Sequence, residues 1–124
     1  MEEPLVLSRA ALVAAEVCEV SADRFDQALL AALRAATAVL AVRARPGGAG
    51  PGRDVWRLLP QLMPELSEWA AYFAAAAAKR RAAVEGAYQV TAREADDLLR
   101  DAQAFHAEVA RRLRVAPVRD RGAC

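Results

Sequence analysis

Between Leu5 and Val20 apolar side chains recur with a rhythm of about 3.6 residues, through Leu5, Leu12 and the neighbours Val13, Glu16 and Val17, and no strand alternation competes. The spacing predicts a first helix. Ser21 suits the N-cap of a second, running to about Ala44, whose Phe25, Leu29, Leu33, Ala36 and Leu40 fall at helical intervals. The segment RPGGAGPGR at 45–53 carries glycine and proline too densely to continue a helix and reads as an interior loop. Asp54 then caps a short helix through Leu62, which Pro60 limits to one or two turns. Pro64 and Glu65 suit the first turn of a helix that LSEWAAYFAAAAAKRRAAV carries to Val84, with Gly86 as its stop and Trp69, Tyr72, Phe73 and Ala76 on one face. Thr91, with Glu94 three residues on, forms a capping box for a last helix from Ala92 to about Arg114, ahead of Pro117.

Four long helices and one short one, joined mostly by short connections, predict an all-α up-and-down bundle. At 124 residues this is one domain, spanning 1–114 with its loop at 45–53, followed by a flexible tail at 115–124. Alanine-rich faces allow close interhelical approach, while Trp56, Trp69, Phe73 and Phe105 supply most of the bulk.

Charge changes the picture little. With 17 basic against 16 acidic side chains the whole molecule exerts no general pull on a polyanion or an anionic membrane, so any such binding has to be local. Basic clusters stand at Arg43, Arg45 and Arg53, at Lys79 to Arg81, and at Arg111, Arg112 and Arg114, without aromatic interleaving suited to base stacking. Cys18 and Cys124 imply no disulfide framework, and one histidine without a CxxC spacing leaves a zinc site short of ligands, so neither metal nor other cofactor is expected. The acidic start MEEP does not read as a signal peptide, and the longest apolar stretch, Trp69 to Ala78, is half of what a membrane span requires. A cytoplasmic protein with no membrane partner is the expectation.

Candidate chemistry gathers on the last helix, which carries the chain's only histidine. Ala95, Leu98, Ala102, Phe105, Val109 and Leu113 form its apolar seam, with His106 at the edge, partly buried at the bundle rim or against another subunit. Arg100 lies six positions upstream, about 120° around the helix, so the two cannot converge within one straight helix. A two-fold axis would let one chain's arginine approach the other's histidine. The plain alternative is a surface Arg100 paired with Asp96 or Asp97, and a seam-edge His106 bonded to a neighbour or water. Between Thr91 and Ala110 five acids face two arginines, a net of minus three, which discourages a polyanion.

The bundle, the Gly/Pro loop after its second helix, and Arg100, polar Asp101, four residues, then His106 resemble the HEPN domains of prokaryotes. EWAAYFAAAAAKRRAA followed by VTAREADDLLRDAQAF looks like a small actinobacterial HEPN family, a likeness running roughly from the second helix to the end of the last. Resemblance to the active members implies a homodimeric, metal-independent endoribonuclease in which the ribose 2′-hydroxyl attacks the adjacent phosphate. His106 would be general base or acid, Arg100 would stabilise the phosphate charge, and Asp101 would orient the pair. Some HEPN toxins carry a modifiable tyrosine two residues after the histidine; Glu108 stands there in this chain. Many HEPN domains are not enzymes, so the same resemblance also implies a non-catalytic module binding RNA or an unidentified protein.

Overall fold

The computed structural model describes residues 3–44 and 54–122, with side chains as far as Arg114. The glycine-rich loop expected at 45–53 lies outside the described residues. Five α-helices follow in chain order: α1 (Pro4–Val17), α2 (Ser21–Arg43), α3 (Val55–Leu62), α4 (Ser67–Val84) and α5 (Ala92–Gly122), with one 3-10 turn, Pro64–Leu66, leading into α4. No strand occurs among the described residues. The architecture is the all-α bundle that the apolar rhythm predicts.

The helix ends show why local chemistry is readable. Asp54 accepts a hydrogen bond from the Trp56 amide at 3.1 Å and starts α3. Gly86, at φ +83°, ends α4 by donating to Ala83 O, while Ala87 N donates to Ala82 O at 2.8 Å, the paired bonds of a glycine C-cap. At α5, Glu94 N donates to Thr91 Oγ1 at 3.1 Å and Thr91 N donates to Glu94 Oε1 at 3.0 Å, closing the capping box in both directions. Glu94 also accepts from Tyr88 Oη and from Lys79 Nζ, and these three sets of donors hold its carboxyl down at about 2. Thr91→Ala removes half of the box, and chemical denaturation is expected to show a loss of about 1 kcal/mol; a neutral result would mean that the bonds Glu94 keeps, from Lys79, Tyr88 and the residue 91 amide, suffice to fix the start of α5.

Two boundaries depart from expectation. Ser21 is the first helical residue of α2 rather than its cap; Val20 occupies the cap position without a side-chain bond, and the turn between α1 and α2 is held instead from the α1 side, by Arg24. That guanidinium donates to Ala15 O and Cys18 O at the end of α1 and pairs with Asp96 of α5, so one side chain satisfies orphan carbonyls and ties three helices together. The last helix was expected to end near Arg114, yet α5 continues to Gly122, past Pro117. An interior proline deletes one backbone donor and crowds the preceding turn, a cost that need not stop a helix already propagated for about seven turns.

Packing centres on α2, which lies against α1 on one side and α5 on the other and also meets α3 and α4. Ala28, Ala31, Ala32, Ala35 and Ala36 are fully sealed from solvent, and their small size lets the neighbouring backbones close in. By length and composition α2 could cross a membrane, but half of its most apolar window is core. Bulk comes from the other side of the bundle, where Trp56 (α3), Trp69 and Phe73 (α4) and Phe105 (α5) form one aromatic cluster with centroids 5.1 to 6.1 Å apart.

α1 corrects the reading of its own rhythm. Its buried residues are Ser8, Ala11, Leu12 and Ala15, whereas Val13, Glu16 and Val17 face solvent. The helix is apolar on both faces, so periodicity alone could not say which one meets the core.

Candidate functional site

His106 sits on the buried face of α5, where Phe105 and Val109 flank it in the core, and it is only 7% exposed. Across α1, Ser8 Oγ lies 2.8 Å from His106 Nδ1 and donates its proton to Ala31 O on α2, also at 2.8 Å. A hydroxyl has one hydrogen, so Ser8 accepts from the imidazole and Nδ1 carries the ring proton. Nε2 then holds the lone pair of the neutral ring. Nε2 has no hydrogen-bond partner among the described residues. Burial lowers the pKa of His106 below its usual value, and the nearby positive charge of Arg9 on α1 lowers it further.

Arg100 is placed elsewhere. Its side chain is 68% exposed, with the guanidinium 3.2 Å from Asp97 and 3.7 Å from Asp101. Asp101 in turn accepts from Tyr72 Oη on α4, and burial together with that carboxylate pushes the Tyr72 hydroxyl well above the ordinary phenol range. Asp101 thus joins Arg100 to Tyr72 and makes no bond to His106. Within one chain the three candidate residues fall into two groups: Arg100 and Asp101 on the α4-facing flank of α5, and His106 beneath α1, as the 120° offset requires. Of the two acids that could pair with Arg100, Asp97 does so and Asp96 is taken by Arg24.

The Arg100 side opens on a groove of about 430 Å³ between α4 and α5, lined by Glu65, Glu68, Trp69, Tyr72, Asp101 and Glu108. Four carboxylates make it a poor seat for phosphate. Four members of the basic clusters are similarly occupied. Lys79 pairs with Glu94, Arg80 with Asp26, Arg111 with Glu108, and Arg112 with Glu65 and Glu108. No three side chains of metal-ligating type converge among the described residues.

Ser8 and Arg9 are what inspection of the last helix missed. A signal for Ser8 existed: it lies three residues after Leu5 and four before Leu12, a polar residue at a core position of α1. Nothing in the sequence couples it to a residue 98 positions away.

An α2-centred bundle with a lone, internally tethered histidine on its last helix defines a class of small all-α domains. Within that class, the profile of a family of HEPN domains matches residues 15–110, and the chain belongs to that family. Among curated proteins and among solved structures nothing matches.

Proposed function

We propose that this HEPN domain is a non-catalytic interaction module whose partner is a protein. One observation carries the reading: the Arg100 guanidinium is neutralised by Asp97 and by Asp101, itself a wall of an acidic groove, on the flank of α5 turned away from His106. An arginine meant to grip a phosphate in a transition state has to be free for it, in a field that attracts polyanions. Here each nearby acid works against that. His106, tied to Ser8 between α1 and α2, serves the packing of three helices.

A second reading has an observation of its own. The Ser8 bond fixes a neutral tautomer with its lone pair on Nε2, and the positive charge of Arg9 helps to keep the ring neutral, the state a general base needs. That arrangement supports metal-independent cleavage of RNA, with Arg9 rather than Arg100 as the nearby positive charge.

Mixed-sequence single-stranded RNA incubated in EDTA with the purified protein separates the two. No cleavage above buffer is expected, and none is expected to differ between wild type and His106→Asn, in which the amide keeps the donor to Ser8. Cleavage by wild type that His106→Asn abolishes and Arg9→Ala weakens would overturn the first reading in favour of the second.

A further inference from the structure

α4 and α5 are neighbours whose backbones stay apart. α4 rests on α2 and α3, and what links it to α5 is side chains: Tyr72 to Asp101, Lys79 to Glu94, and the rings of Phe73 and Phe105. An open seam lies between the two helices. The groove of about 430 Å³ beside Asp101 is followed by a second, of about 340 Å³, and Tyr72 lines both. From Glu65 to Lys79 the seam runs for about 21 Å at the rise of a helix.

Its floor is apolar. Trp69 lies half-buried at one end and the buried Phe25, Ala76 and Leu98 at the other, with the Tyr72 ring between them. Its rim is acidic. Along α5, Glu94, Asp97, Asp101 and Glu108 stand at steps of three, four and seven residues, with the exposed Ala104 in the wider gap, so carboxylates recur at helical spacing over the whole seam. Glu65 and Glu68 complete the rim of the first groove. Five of these six acids have partners within the chain, but a carboxylate accepts from several donors, and Glu68 makes no ion pair among the described residues. Lys79 is the only cation lining the seam among the described residues, and Glu94 takes it.

A straight groove bounded by two helices, with walls that repeat every three or four residues, is the complement of a third helix. From that shape and this charge we infer that the α4–α5 seam is the docking site for a basic amphipathic helix of a partner protein. About fourteen residues of helix span it. The apolar stripe of that helix lies on Trp69, Tyr72 and Leu98, and its lysines or arginines reach the carboxylates on either side, where the Trp69 and Tyr72 rings also favour a cation. Charge decides between occupants. An acidic helix or a nucleic-acid strand is repelled by this rim, and an uncharged helix would cover the Glu68 carboxylate without giving it a partner. The inference rests on the interaction-module reading and names the chemistry of the partner.

Fluorescence anisotropy of a labelled, end-capped peptide of about fourteen residues, made of leucine, alanine and lysine with its leucines at helical spacing, tests it on the whole chain. Binding is expected with a Kd of about 10 to 100 μM at low salt, several-fold weaker at about 0.3 M salt. Glu68→Lys is expected to weaken binding about fivefold. Ala75→Arg, which puts a bulky cation into the second groove from an exposed position, is expected to weaken it about tenfold, both variants keeping the circular dichroism of the wild type. The same peptide with glutamate for lysine is expected not to bind. No binding at about 1 mM, a Kd indifferent to both substitutions, or equal affinity for the glutamate peptide or for single-stranded RNA overturns the inference. Such failure is distinct from failure of the interaction-module reading, which shows as RNA cleavage lost in His106→Asn, and neither groove substitution touches His106.

Discussion

Phe73→Ala is expected to lower the free energy of unfolding by about 4 kcal/mol, the largest single effect in the molecule. The reason lies in how α4 is attached. Its buried side chains are Ala70, Phe73 and Ala76, with the half-buried Trp69 packed beside them, so Phe73 is the one large ring that α4 seals wholly inside. That ring is fully enclosed, 5.2 Å from Trp56, 5.7 Å from Trp69 and 5.1 Å from Phe105, and it joins α3, α4 and α5 at one point. Truncation loses the transfer energy of the ring and leaves a cavity that four rigid helices cannot collapse around. Phe73→Leu, which keeps most of the volume, is expected to cost less than half as much. Val84→Ala, near the end of the same helix at 70% exposure, is expected to be nearly silent. Urea denaturation followed by tryptophan fluorescence reads all three, because Trp56 and Trp69 line the hole. A loss below about 1.5 kcal/mol for Phe73→Ala would show that α4 is anchored by something other than this cluster.

That cluster was visible in the sequence, because four large aromatics in an alanine-rich chain have few places to go. The caps were visible for a different reason. Asp54 with Trp56, Thr91 with Glu94 and Gly86 after Val84 act over two or three residues, and such short-range bonds belong to the sequence as much as to the fold. The seam of α5 was legible too, since Ala95, Leu98, Ala102, Phe105 and Val109 are all buried at the intervals expected.

What escaped is what depends on the approach of distant segments. His106 was expected to be partly buried, at the rim of the bundle or against another subunit; that α1 covers it, with Ser8 as its acceptor, could not be read from the last helix. Arg24 reads as an ordinary first-turn arginine until Ala15, Cys18 and Asp96 are seen around it. α1 misled for a third reason. Apolar on both faces, it gave a correct period and no preferred side, and the residues that seemed to mark its core, Val13 and Val17, lie on its exposed face. The separation of Arg100 from His106 within one chain, by contrast, followed from helix geometry alone.

Ser8→Ala is expected to cost about 2 to 3 kcal/mol at pH 7.5, although it removes one oxygen atom and leaves packing almost unchanged. The hydroxyl is the sole partner of His106 Nδ1, and its loss strands a buried ring proton. Switching tautomer gives no escape, because an unpaired lone pair then occupies the same site. Ala31 O keeps its helical bond and contributes little to the loss. The same pair sets a pH dependence. With the folded pKa of His106 held below its value in the unfolded chain, the unfolded state binds the extra proton first, so stability is fully present above about 6.5 and falls as pH drops toward the folded pKa. The corresponding loss from Glu94 begins only below about 4.5 and runs to about 2. His106→Asn, whose amide can still donate to Ser8 but cannot take a proton, is expected to abolish the upper step and spare the lower one. In Ser8→Ala the imidazolium loses an acceptor as well, so the His106 pKa measured by proton NMR is expected to fall further below that of the wild type. Urea midpoints between pH 5 and 8 for the three proteins supply the check. A pH profile unchanged in His106→Asn, or a Ser8→Ala loss under 1 kcal/mol, would mean that water replaces the hydroxyl and that α1 is not pinned to α5 by this bond.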